Sequence, residues 1–472
     1  MGLAYKKVNI KCGIECHKQI EGKKLFCNCP TIIRDDNPSF NVTRYIRTSA
    51  GESGRYDVAA LYEAKKGKHF VYQGYNDTTC LVELDEKPPQ EINQHALEIA
   101  LQVCLLLNCK INKVVQVMRK IVIDGSNTSG FQRTMLIGKD GYINVNNKKI
   151  GIQGVCLEEE ASQIIERTEE YDVYNLSRLG IPLIEIATSP DINSPEECKI
   201  VAEKIGMILN SIEGIKRGLG SIRQDINISV NDNPRIEIKG FQELKSIPKV
   251  IENEIERQLK LLKKKQKIKS EVRKANPDGM TEFLRPMPGS ARMYPETDIN
   301  LIELKDTLIK SIKLPELIAE KVEKLVETHK ISSDYAREII ERKIGFEKFL
   351  KYKLDPQFIA KVLVETPKEI KSRFNVSEHI TDEDFREIFS LVESKKITKE
   401  AVPDVLSEKL IEGKIDLNKF KPVKESDIEK EIKEIIKKNK GASLNALMGI
   451  VMEKFRGKID GKKVAELIKK LQ

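Results

Sequence analysis

The stretch IECHKQI, residues 14–20, sets a glutamate and a histidine two positions apart among strand-forming residues. Side chains alternate across a strand, so Ile10, Cys12, Ile14 and Cys16 fall on one face and Lys11, Gly13, Glu15, His17 and Gln19 on the other. Such a strand buries its cysteines and turns a carboxylate and an imidazole toward solvent or toward a ligand. A second segment repeats the pattern. RQDINISVNDNPRIEIKG, residues 223–240, reads as an antiparallel hairpin with its turn at NDNP. Ile226, Ile228 and Val230 point one way with Ile236 and Ile238 on the partner strand. Asp225, Asn227 and Ser229 point the other way with Arg235, Glu237 and Lys239. Short Asp and Asn side chains are poor strand formers, so their place in mid-strand speaks for a role other than β propensity.

Two more acidic spots are Glu158-Glu159-Glu160 in CLEEEAS and Glu185 in PLIEIATSPD, where Ile184 and Ile186 should anchor the strand and fix the direction of Glu185. Carboxylates with one histidine and no cysteine at close spacing suit a hard or borderline divalent ion such as Mg²⁺. A strand face that simply meets water is the competing reading of each spot taken alone. KIVIDGSNTSGFQRT, residues 120–134, is a strand followed by a Gly/Ser/Asn/Thr loop. Backbone N–H groups of such a loop can face phosphate, although a hairpin turn is the commoner explanation. No GxxxxGK[ST] occurs, so it is not a P-loop. Cys27 and Cys29 form a C-x-C without a second close pair, and Cys80 is the nearest later thiol. A zinc site needs about four ligands, so two packed cysteines without metal is the favoured reading.

The elements that must position these groups change character along the chain. Up to about residue 300, short β-branched runs alternate with turn clusters and a few helices. NQHALEIALQVCLLLN starts at Asn93 as N-cap, SPEECKIVAEKIGMIL at Ser194 with Pro195 and two acids in its first turn, and a third helix begins at Pro248. Beyond residue 300 the pattern is of short amphipathic helices split at Pro315, Pro356, Pro367, Pro403 and Gly413. A linker is expected around Pro422. The fold class is α+β: a mixed body over 1–300 with antiparallel sheet, a helical domain over 301–422 and a small basic helical tail over 423–472.

The 472 residues are 40% hydrophobic and 32% charged, enough for a core beneath a charged surface. Of the net charge of +9, residues 401–472 carry +5, with 17 Lys and Arg against 12 Asp and Glu, which suggests a polyanionic partner for the tail. The plainer alternative is a lysine-rich composition on solvated helices. No apolar run is long enough for a signal peptide or membrane span, and nine scattered cysteines argue for reduced thiols in the cytoplasm.

The blocks GIECHKQIEGKKLFCNCP, GYNDTTCLVELDEKPP, MRKIVIDGSNTSGFQRT, LGIPLIEIATSPDI, KRGLGSIRQDINIS, RIEIKGFQEL and RPMPGSARMYPETDI, in this order, resemble the E-subunit family of glutamyl-tRNA(Gln) amidotransferases. That family is close kin of the B subunit of three-subunit tRNA-dependent amidotransferases. ALMGIVMEKFRGKIDGKKVAELI resembles its C-terminal tRNA-binding tail. CLVELDEKPP and DGSNTSGFQRT point to the E type rather than the B type. The chain departs from the E pattern in passing straight through EVRKANPDGMTEFLRPMPG, where the family normally carries an inserted domain similar to one in aspartyl-tRNA synthetases. Lys18 also stands where a neutral residue is expected.

The resemblance implies an ATP-dependent ligase. ATP phosphorylates the side-chain carboxylate of glutamate on tRNA(Gln), and ammonia displaces the phosphate to give Gln-tRNA(Gln). It implies a metal-binding cluster of Glu15, His17, Glu158 or Glu159, Glu185 and Asp225 for Mg²⁺. Arg223 and Lys239 are implied to neutralise phosphate charge, and Ser126, Asn127, Ser129, Gly130 and Gln132 to line the nucleotide pocket. An asparaginase-like D subunit is the implied source of ammonia in a heteromeric assembly. A B-type subunit and a non-catalytic tRNA-binding scaffold are the alternative readings.

Overall fold

The structure, a computed structural model, describes residues 8–218, 220–241, 243–289, 292–374, 380–421, 425–439, 442–455 and 461–471. The expected linker at Pro422 and residue 423, where the tail was expected to begin, lie outside these residues, as do Ser290 and Ala291 of the RPMPGSARMYPETDI block. The chain divides into two compact units between Glu316 and Leu317.

The first unit is organised by the opening strand, Ile10–Gln19, which lies inside an 11-stranded sheet. On one side it pairs antiparallel with Ile222–Val230, followed by Ile236–Phe241, Glu271–Ala275 and Thr281–Pro286. On the other side come Pro182–Thr188, Lys148–Glu159, Phe131–Val145, Met118–Ile121 and Met293–Pro295. All of these neighbours are antiparallel except Ile236–Phe241 with Glu271–Ala275. Hydrophobic periodicity decides which face goes inward. Ile10, Cys12, Ile14, Cys16, Ile226, Ile228, Val230, Ile236 and Ile238 are all buried. Helices Gln94–Leu106, Pro195–Asn210 and Ile247–Lys263 pack against the sheet strands.

The first two of these helices start where their capping residues dictate. The Asn93 side chain accepts from Ala96 N–H and the Ser194 side chain from Glu197 N–H. The 223–240 hairpin forms with its turn at NDNP, where Asn231 and Asp232 both take left-handed backbone angles. The stretch without an inserted domain folds as a hairpin of its own, Glu271–Ala275 against Thr281–Pro286. Lys18 keeps the parity of the buried face and is itself buried, its ammonium reaching Ser221 Oγ at 3.2 Å. A second, four-stranded sheet joins Phe40–Arg44, His69–Gly74, Tyr171–Asn175 and Gln163–Arg167.

From Asp306 onward the described elements are helical. The second unit holds one apolar cluster built from Ile318 to Leu406 and another from Ile428 to Ile468. Pro356 and Pro403 open helices, and Gly413 ends one at φ 73°. Pro367 corrects the expected break: helix Pro356–Phe374 runs through it. A mid-helix proline costs roughly 3 kcal/mol, but Leu363 and Val364 before it and Ile370 after it are buried in the same cluster, and that packing keeps the helix continuous. No helix among the described residues is long and apolar enough to cross a membrane.

Candidate active site

Register brings the polar side chains together. Within the sheet Glu15 stands opposite Asp225 on one neighbour and Ala187 on the other, while His17 stands opposite Arg223 and Glu185. Glu185 is flanked by fully buried Ile184 and Ile186, so its carboxylate points away from the core. One strand further, Glu158 pairs with Leu183 and, on its other side, with Thr134. Strands spaced about 4.8 Å apart thus put charged groups from several segments over one patch. The patch floors a cleft of about 560 Å³, lined among others by Glu15, His17, Gln132, Glu158, Glu185 and Lys239.

Two groups of ligand atoms lie side by side here, the second reaching into an adjoining hollow through Asp225. In one, His17, Glu158 and Glu185 each bring a donor atom within 4.8 Å of the others; in the second, Glu15, Asp225 and Glu237 do the same. Lysines stitch the groups. Lys120 Nζ donates to Glu158 Oε1 at 2.6 Å and lies 3.8 Å from Glu185 Oε2. Lys239 Nζ is 2.5 Å from Asp225 and 2.6 Å from Glu237. Gln132 and Thr134 donate to Glu158 at 3.0 and 2.6 Å, and Asn227 donates to Glu15 at 2.9 Å.

The electrostatics split the carboxylates. Burial, then the charges of Glu185 and Glu237, push Glu15 above its ordinary value. Burial and Glu185 do the same to Glu158. Burial opposes ionisation of Glu185 and Asp225 too, but Lys120 and His17 hold the first far below its usual range, and Lys239 and His17 lower the second. His17 is raised: burial disfavours the imidazolium, and the hydrogen bond and charge of Glu185, 3.2 Å away, outweigh it. Crowded carboxylates of this kind are what a bound cation relieves.

The donor set fits such a cation. It is made of oxygens with one imidazole, a hard-ion set. The side-chain oxygen of Asn227 is buried without a hydrogen-bond partner, on the same amide whose nitrogen holds Glu15.

The residues singled out from sequence fall into three groups. Glu15, His17, Glu158, Glu185, Arg223, Lys239 and Gln132 line the cleft. Asp225 lies in an adjoining hollow with His17, Arg223 and Lys239. Glu159 does not join them. Alternation turns it to the other face, where Arg133 N–H donates to it at 3.2 Å. Ser126, Asn127, Ser129 and Gly130 are not among the residues that line this cleft. Their loop connects the antiparallel pair Met118–Ile121 and Phe131–Val145, and its polar groups turn inward, with Ser126 Oγ on Asp124 and Ser129 Oγ on the Phe131 carbonyl.

Sequence reasoning missed Lys120, Arg285 and Arg292 in the cleft wall. The signal for Lys120 was a lysine inside the apolar run RKIVI. Neither Arg285 nor Arg292 makes an ion pair among the described residues. Glu160 and Glu237 were noticed only as part of charged runs, yet Glu160 is buried and held by Arg223 at 2.8 Å and Gln19 at 3.0 Å.

Comparison with known proteins gives the same outline. Residues 10–310 match the family model of the GatB/GatE catalytic domain, and residues 345–471 match a GatB domain. The glutamyl-tRNA(Gln) amidotransferase E subunit of Methanocaldococcus jannaschii is 37% identical, with 100% of this chain and 99% of that protein covered. The proteins of the same name from Methanococcus maripaludis and Archaeoglobus fulgidus are each 35% identical, covering 100% and 99% of this chain and 99% and 98% of their own lengths. The first alignment runs over 625 positions against 472 residues here, so that relative carries sequence which this chain lacks. The segment between Ile247–Lys263 and the Arg285–Arg292 wall, where the short hairpin stands, is the place the resemblance assigns to it. On the matched catalytic domain and the full-length similarity, the chain belongs to the GatB/GatE family.

Proposed function

We propose that this protein is the E-type component of a tRNA-dependent amidotransferase, an ATP-dependent ligase that converts Glu-tRNA(Gln) into Gln-tRNA(Gln). One observation carries the reading: two adjacent carboxylate-rich ligand groups, all of whose members but Asp225 of the adjoining hollow line a single cleft, stand beside Arg223, Arg285, Arg292 and Lys239 in its wall. A carboxylate and a triphosphate repel each other. A site that joins them needs both anion-binding cations and carboxylates able to hold a metal.

The reaction has two steps. A side-chain carboxylate oxygen of the tRNA-bound glutamate attacks the γ-phosphorus of ATP, and ADP leaves. Ammonia then attacks the acyl carbon of the mixed anhydride, inorganic phosphate leaves, and the nitrogen loses a proton to give the amide. In this reading Glu15, Asp225 and Glu237 form one candidate Mg²⁺ set, and His17, Glu158 and Glu185 a second. Mg²⁺ there would supply the positive charge that lets two anions approach. Lys120, Thr134 and Gln132 fix the Glu158 carboxylate, and Asn227 fixes Glu15. The guanidinium groups of Arg285 and Arg292 are suited to phosphate oxygens, which they can bind in bidentate fashion. A B-type subunit is the lesser reading, because the relatives named above are of the E type.

The ammonia comes from elsewhere in this proposal. The chain carries no recognisable amidase signature, and an asparaginase-like D subunit is the partner expected to release it. Purified chain given ATP, Mg²⁺, Glu-tRNA(Gln) and ample ammonium salt is expected to form Gln-tRNA(Gln) while hydrolysing neither glutamine nor asparagine. Robust glutamine hydrolysis by the chain alone overturns the division of labour. The absence of ATP-dependent phosphate release in the presence of Glu-tRNA(Gln) and the partner overturns the activity itself.

A further inference from the structure

Glu160 stands just past the end of strand Lys148–Glu159, and its side chain returns to the cleft side with that of Glu158. Its main chain is locked. Glu160 N–H donates to the Ile181 carbonyl at 2.8 Å, and Gly180 N–H donates to the Glu160 carbonyl at 2.9 Å. The side chain is buried, and three donors hold its carboxylate. Oε1 accepts from Arg223 at 2.8 Å and from Ala161 N–H at 3.2 Å, and Oε2 accepts from the Gln19 amide at 3.0 Å. Glu160 belongs to neither of the two ligand groups described above. With both oxygens engaged, its role lies in what it holds.

What it holds in the cleft is Arg223. That arginine lines both the cleft and the adjoining hollow, and its side chain is 37% exposed. The bond to Glu160 is the one hydrogen bond its guanidinium makes among the described residues. A guanidinium carries five N–H donors in a rigid fork, so most of the fork is left to a ligand. A long side chain loses rotamer freedom when it captures an anion, and one already tethered at an edge loses less. Positive charge is left over as well. Arg178 lies within reach of the Glu160 charge, donating to the Ala161 and Ser162 carbonyls at 2.8 and 2.6 Å. One carboxylate thus answers two guanidinium groups. A buried ion pair that merely cements the wall is the simpler account. It suits Arg178, whose donors go to main-chain carbonyls, but not Arg223, held by one edge beside two cavities.

We infer that Glu160 is a positioning residue: it tethers one edge of the Arg223 guanidinium so that the rest of the fork meets a phosphate group of the bound nucleotide already ordered. Gln19, at the end of the opening strand, fixes the Glu160 carboxylate in turn. The inference rests on the ligase reading above for the identity of the anion.

The test is a double-mutant cycle on the full chain, with Glu160→Gln and Arg223→Ala made singly and together. Binding of inorganic triphosphate in the presence of Mg²⁺ is followed by calorimetry. KM for ATP and kcat are measured in amidation of Glu-tRNA(Gln) with ammonium salt. Glu160→Gln keeps the shape of the side chain and removes its charge. It should weaken triphosphate binding and raise KM for ATP by about 5–10-fold, with kcat within about three-fold of wild type. Arg223→Ala should cost about 10-fold or more in both, and adding Glu160→Gln to it should change neither by more than about two-fold. Gln19→Met, which releases Oε2 without touching Arg223, should act in the same direction more weakly and fall silent beside Arg223→Ala. Equal losses from Glu160→Gln with and without Arg223 make Glu160 a purely structural residue and overturn the inference. So does a loss confined to kcat, or a wild-type chain that binds no triphosphate. Triphosphate binding that follows the cycle in a chain that performs no amidation leaves the inference standing and overturns the ligase reading alone.

Discussion

Glu15 and Asp225 face each other across two adjacent strands and share the same ligand group, so they give the sharpest residue-level test of the cleft. Glu15→Ala and Asp225→Ala are each expected to lower ATP-dependent amidation by at least about 100-fold, since a lost metal ligand removes several kcal/mol of transition-state stabilisation. Both should leave the fold intact, because Lys239 keeps Glu237 as a partner when Asp225 is removed. Near-normal turnover of either variant at saturating Mg²⁺ contradicts the metal assignment. A second test concerns stability. Burial opposes the Glu296 carboxylate, but Arg119, backbone N–H groups and Arg133 hold its value down, from 4.5 to about 2. A lowered carboxylate value contributes stability that is present above pH 4.5 and is lost as pH falls toward 2. The stability gap between wild type and Glu296→Gln should therefore be full near neutrality and shrink through that window in denaturant titrations. A gap independent of pH removes the ion pairs as its cause.

At the scale of elements, tight packing replaces charge as the determinant. Gly141 lies in the long strand Phe131–Val145, and a Cβ there would stand 2.4 Å from Cys109 Sγ and 2.5 Å from the Leu107 carbonyl oxygen. Gly141→Ala should cost about 1–3 kcal/mol and lower Tm by several degrees, while kcat at permissive temperature stays close to wild type. An unchanged Tm means that the end of helix Gln94–Leu106 can move away freely. This scale also separates what the sequence disclosed from what it hid. The polar and apolar faces of Ile10–Gln19 and of the 223–240 hairpin were legible, because alternation is a local signal. The capped helix starts at Asn93 and Ser194 were legible for the same reason. Lys120, Arg285 and Arg292, and the meeting of Cys80 with Cys27, depend on contacts between segments far apart in the chain, which no local period encodes. Glu158 and Glu159 could not be told apart until the register of Lys148–Glu159 was known. Pro367 misled because local chemistry spoke for a break and the apolar cluster around the helix overrode it.

For the whole molecule, the basic tail is the segment to remove. Deleting residues 424–472 is expected to weaken binding of tRNA at least 10-fold while ATP binding stays within about two-fold, as phosphate contacts supply much of the affinity for nucleic acid. The truncated chain should also lose part of the fall in affinity with salt, measured by filter binding across a potassium chloride series. An unchanged affinity and salt slope remove the tail from RNA recognition.

The position of the opening strand bears on how the protein comes to exist. Ile10–Gln19 emerges from the ribosome well before its partners, which are Pro182–Thr188 and Ile222–Val230, with Ile10 opposite Val230. At about 5–20 residues per second, this strand waits roughly 10–40 s for its second neighbour, with an apolar face of isoleucines and cysteines unpaired throughout. The carboxylates of the cleft cannot assemble on a partial nascent chain. Until residue 230 has been made, the strand is a natural client for the chaperones that meet growing polypeptides.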